Sequence, residues 1–64
     1  MATQLIPVSI ADCLGELRRE LEVRRVLYPT WIRQNRLSQE LADFRIQAIE
    51  LAIGTLEEFE AGHG

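Results

Sequence analysis

From Ile10 to Phe59, apolar residues recur at spacings of three and four, the period of amphipathic helices. In the first half, Ile10, Leu14, Leu17, Leu21, Tyr28 and Trp31 make a heptad-like stripe broken once, at Arg24. Ser9-Ile10-Ala11-Asp12 reads as a capping-box variant, so a helix is expected over about residues 9–34. Pro29 lies inside that span, where it lacks an N–H and its ring meets the carbonyl of Arg25. Because Trp31 and Ile32 keep the period, the pattern predicts a kink there rather than a stop. Asn35 can take the left-handed conformation that ends helices, a position usually filled by Gly. Leu37 then closes the turn. Ser38 caps a second helix, expected over about residues 38–59, with Glu40 near its positive end. Glu57, Glu58 and Glu60 oppose the dipole at the far end, which predicts fraying there and a tail over residues 60–64. Residues 1–8, with Pro7, read as an extended arm able to dock through Leu5 and Ile6.

The second helix is apolar over too wide an arc for one neighbour. Leu41, Ala42, Phe44, Ile46, Ala48, Ile49, Leu51, Ala52, Ile53, Leu56 and Phe59 spread over about 220° of a helical wheel, whereas one contact needs about 100°. A short turn makes the two helices antiparallel, with residues whose numbers sum to about 72 facing each other. Trp31 would then meet Leu41, Tyr28 would meet Phe44, Leu21 would meet Leu51, and Leu17 would meet Thr55 and Leu56. One hairpin leaves part of the second helix wet, so a second copy is expected to cover it by two-fold symmetry. The fold class is therefore all-α: an antiparallel two-helix hairpin with a Pro-kinked first helix, dimerising into a four-helix assembly. Leu14, Leu17, Leu21, Arg45, Ile46, Ile49, Ile53 and Leu56 are the expected dimer interface. Arg45 would sit there in a buried ion pair with Glu20 or Glu16 of the other copy.

Composition strengthens the case for assembly. The chain has 64 residues, enough for one domain, with a single Cys and a single His. A domain of this size draws only about 3–5 kcal/mol from its own core. No disulfide and no Cys/His zinc site can form within one chain to add to that. Net charge is −3, and all seven basic residues are Arg. The first 36 residues carry an excess of about two positive charges and the remainder an excess of about five negative ones, a gradient that favours antiparallel contact.

No constellation of catalytic quality appears. Cys13 lies on the apolar side of the first helix and reads as a small core residue. His63 sits in a glycine-containing tail, a poor place for a positioned base. There is no phosphate-binding loop and no metal-ligand spacing, so neither an enzyme nor a cofactor is expected. No apolar run approaches the roughly 18 residues of a membrane span, and the N-terminus lacks a signal-peptide pattern. The expected location is the cytoplasm.

Binding is the remaining class. Val23, Val26 and Leu27 lie off the core stripe, and three apolar residues so close together imply a second contact surface. With Arg24, Tyr28 and Trp31 they make an aromatic and Arg-containing set suited to a protein partner. Two readings stay open for the latter three. Arg24 either pairs with Glu20 and lays its stem over Tyr28, or presents its charge to a partner. Tyr28 and Trp31 serve either the hairpin corner or the partner.

Several segments carry a family resemblance: Leu17-Arg18-Arg19-Glu20-Leu21, Tyr28-Pro29-Thr30-Trp31, Arg36-Leu37-Ser38 and Ala42-Asp43-Phe44-Arg45-Ile46. They resemble a family of very small proteins of Mu-like phages and proteobacterial prophages. Its pattern is Leu-Arg-Arg-Glu-Leu, Tyr-Pro-x-Trp, Gly-Arg-Leu-Ser and Ala-Asp-x-Arg-Ile. The likeness spans about residues 16–50, and Asn35 stands where the family usually has Gly. The resemblance implies a helical host-takeover factor in the cytoplasm of the host bacterium, inhibiting a host protein by direct helix-surface binding. One similar phage protein is a quorum-sensing anti-activator that binds a LuxR-type transcription regulator and the type IV pilus assembly ATPase, so those are the implied partners. The alternatives are a phage structural or assembly adaptor, and a nucleic-acid binder using Arg18, Arg19, Arg25, Arg33 and Arg36. Interleaved acids argue against the last.

Overall fold

The computed structural model describes residues 7–63, so the proposed docking of Leu5 and Ile6 lies outside the described residues. Two helices, α1 (Ile10–Arg33) and α2 (Gln39–His63), pack against each other, and no strand is present among the described residues. The molecule is only 15 Å across in its thinnest direction, a single layer of helix.

The helix ends follow from local chemistry. Ser9 accepts a hydrogen bond from the Asp12 amide at 3.0 Å, while the Asp12 carboxylate accepts one from the Ser9 amide at 3.1 Å, completing the capping box. Helix α1 passes through Pro29 and continues to Arg33. Asn35 then adopts φ 61°, the left-handed conformation its side chain tolerates better than most. Its amide donates to the Ile32 carbonyl (3.0 Å), and the Arg36 amide donates to the Trp31 carbonyl (2.8 Å). These two bonds are the Schellman arrangement, which satisfies carbonyls the helix would otherwise strand. The Arg36 guanidinium closes the corner by lying 5.7 Å from the Trp31 ring centroid. Ser38 starts α2 by accepting from the Leu41 amide at 3.1 Å.

Helix α2 runs to His63, past Phe59 and into the expected tail. Part of the reason is Glu57. Its carboxylate is held 2.6 Å from Arg18, which offsets the charge that opposes the dipole at this end.

The core is one seam. Leu14, Leu21, Ile49 and Ile53 are buried together, with Ile10, Leu17, Ile46 and Leu56 packed around them; Tyr28 and Ala42 are buried nearer the turn. On α2, the residues Ala42, Ile46, Ile49, Ile53 and Leu56 span only about 80° of the wheel. That stripe alone faces α1. Contrary to expectation, Phe44 and Leu51 face away from α1: they are 68% and 72% exposed, so Leu21 does not pack on Leu51 nor Tyr28 on Phe44. Leu41 is also exposed, at 40%.

Ion pairs fix which side of the seam is closed. Arg18 meets Glu57 and Arg25 meets Glu50, each at 2.6 Å. Their numbers sum to about 75, which places the register slightly along from one centred on the turn. Both pairs lie on the same edge of the hairpin. All four side chains remain about half exposed, so each pair is worth only about 0.2–1 kcal/mol. Their role is to set alignment rather than to supply stability.

Candidate protein-binding surfaces

The opposite edge of the hairpin carries no cross-helix ion pair among the described residues. On α1 it presents Val23 and Leu27, 43% and 38% exposed, with Val26 at 71% one turn around. Their i, i+3, i+4 spacing puts the three on one patch of helix surface. Glu22 borders it on one side. Toward the seam, a shallow groove continues from Val23 and Leu27 to Arg24, Trp31 and, across the gap, Arg45 of α2.

The other expected partner contacts are divided by their packing. Arg24 is half-buried and its Nε lies 3.4 Å from Glu20, so its local pairing is realised. Tyr28 is only 5% exposed and belongs to the core rather than to the surface set. Its ring lies 5.7 Å from that of Trp31, tilted by 38°, within the range of favourable aromatic pairs. Trp31 is half-buried between Tyr28 and Arg36 and offers part of its ring to the groove.

Most of the residues expected at a dimer interface pack within the single hairpin. Leu14, Leu21, Ile49 and Ile53 are each less than a tenth exposed and spend their apolar surface inside one chain. Leu17, Ile46 and Leu56 pack against them and are half-buried. Arg45 is exposed and forms no ion pair among the described residues of the single hairpin; the pair expected for it is with Glu20 or Glu16 of another copy. What the periodicity left undecided is which part of the wide apolar face of α2 turns away from α1. Leu41, Phe44, Ala48 and Leu51 lie about 140° around the helix from the core stripe, and all four are exposed. The matched seven-residue spacing of Arg18 and Arg25 with Glu50 and Glu57 was the available signal. It shows which side of α2 turns toward α1.

Four of the seven Arg side chains are engaged by carboxylates: Arg18, Arg19, Arg24 and Arg25. Arg33 donates to Thr30 and Arg36 lies over Trp31. Such pairing disperses the field that phosphate recognition requires. Among the described residues no cluster of His, Cys, Asp and Glu could hold a metal ion, and no helix is long and apolar enough to cross a membrane. Searches of protein-family models, curated proteins and solved structures returned no significant match to the chain.

Proposed function

We propose that this chain is a small phage-encoded binding protein, homodimeric and without enzymatic activity, that inhibits a host protein in the bacterial cytoplasm by docking a helix surface on it. The observation that carries this reading is the Val23, Val26 and Leu27 patch, exposed although buried core positions lie on the same helix. An apolar patch flanked by an Arg and a partly exposed Trp has the composition of an interface hot spot. The family resemblance supplies the candidate targets: a LuxR-type transcription regulator and the type IV pilus assembly ATPase.

The test is titration calorimetry of the purified protein against each purified target, with Val26→Asp as the variant. Val26 is 71% exposed, so the charge costs the fold little. The reading expects binding to at least one target and its loss in Val26→Asp, with helicity unchanged. Absence of binding to both, or equal binding by the variant, would refute it.

A further inference from the structure

We propose that the second apolar stripe of α2 binds a second copy of this chain in parallel, as a short two-stranded coiled coil. This deepens the homodimer of the proposed function by assigning its interface, and it does not depend on the identity of the host target.

The stripe has coiled-coil spacing. Leu41, Phe44, Ala48, Leu51 and Thr55 fall at alternating steps of three and four, the a and d positions of two heptads. All five are exposed in the hairpin. The seam is about 21 Å long and ends where Glu58 takes the next d position. Ala48 at its centre lets the two backbones approach, while Phe44 and Leu51 fill the layers on either side.

Charge selects both the occupant and its direction. In this register Glu40 is a g position and Arg45 the following e position, five residues on, which is the g-to-e′ relation that parallel helices bridge. Two such pairs form across a parallel dimer, Glu40 with Arg45 of the other copy and the reverse. Within one chain, neither side chain takes part in an ion pair or side-chain hydrogen bond among the described residues. The antiparallel alternatives fail on the same residues. One register sets Glu58 against Leu41, and the other sets the two Arg45 side chains against each other. The parallel seam lies on the far side of α2 from α1, so the Val23, Val26 and Leu27 patch stays open in the dimer.

Two experiments on the full-length chain test this. In a Cys13→Ser background, Thr55→Cys places thiols in one a layer of a parallel dimer, close enough to join on mild oxidation. Antiparallel registers separate them by at least about 16 Å along the axis. In parallel, sedimentation equilibrium is run on Glu40→Arg, Arg45→Glu and the double variant. Each single change is expected to weaken the dimer about tenfold or less, and the double change to restore it to within about twofold. A monomer at about 100 μM, in the range of weak association, overturns the proposal. So does a dimer without the Thr55→Cys crosslink, or a double variant no better than the singles. Loss of host binding with the crosslink intact sinks only the inhibitor reading; the converse sinks only the seam.

Discussion

Ile49 and Leu51 sit two residues apart on α2 and are chemically alike, yet truncating them should have unequal consequences. Ile49 is 8% exposed within the core cluster, whereas Leu51 is 72% exposed. Ile49→Ala removes about three methylene equivalents at ~0.8 kcal/mol each. Adding a cavity that the helices only partly close raises the loss to about 3 kcal/mol. A domain of this size commands about 3–5 kcal/mol. The variant is therefore left near 1 kcal/mol, with roughly one molecule in six unfolded before any denaturant is added. Leu51→Ala should cost the isolated hairpin less than about 0.5 kcal/mol. Urea melts followed by far-ultraviolet circular dichroism would measure both, at low micromolar protein and again at tenfold higher concentration. Ile49→Ala should shift the midpoint at either concentration. Leu51→Ala should be neutral when dilute and lose stability relative to the parent only when concentrated, because in the proposed dimer its contact is with another copy. Equal losses from both variants when dilute would mean that α2 has been assigned the wrong inner face.

Three further outcomes test the local architecture. Gly15 is helical with open space where a Cβ would go, so Gly15→Ala should stabilise the fold by about 0.5–1 kcal/mol. That would appear as a melting temperature raised by roughly 2–8 °C, and a lowered one would contradict the helix assignment there. Asn35 has φ 61°, so Asn35→Ala should cost about 1 kcal/mol while Asn35→Gly is neutral or stabilising; chemical denaturation reads the difference, and equal stability of the two would refute the left-handed turn. A double-mutant cycle on Arg25 and Glu50 should give a coupling of at most about 1 kcal/mol that shrinks in molar salt. Zero coupling at low salt would mean that the closed edge of the hairpin has been misplaced.

Much of the fold could be read from the sequence where a single residue type answers a single backbone demand. Ser9 with Asp12, Asn35 and Ser38 each meet a need of a helix terminus, and each is found in that role. The inner face of α2 could not be read in this way. Its apolar residues cover two stripes, and periodicity weights both alike, so Leu51 and Phe44 were as eligible for the core as Ile49 and Ile53. The choice is made by the partner helix. Arg18 and Arg25 can reach Glu57 and Glu50 only when the isoleucine stripe turns inward. The candidate surface shows the same division: Val23, Val26 and Leu27 were identifiable as off-stripe residues, but Tyr28 could be assigned to the core only once α2 was seen packed beside it.

The proposed assembly requires α2 to have two contact faces, one for α1 and one for another copy of itself. Electron–electron resonance between nitroxides on Glu60→Cys, in the Cys13→Ser background, examines both the existence and the direction of that second contact. Parallel helices side by side place the two labels about 20 Å apart. Antiparallel registers place them about 30 Å or more apart, and a monomer gives no dipolar signal. The short distance is the predicted result; the long one, or none, would contradict the account.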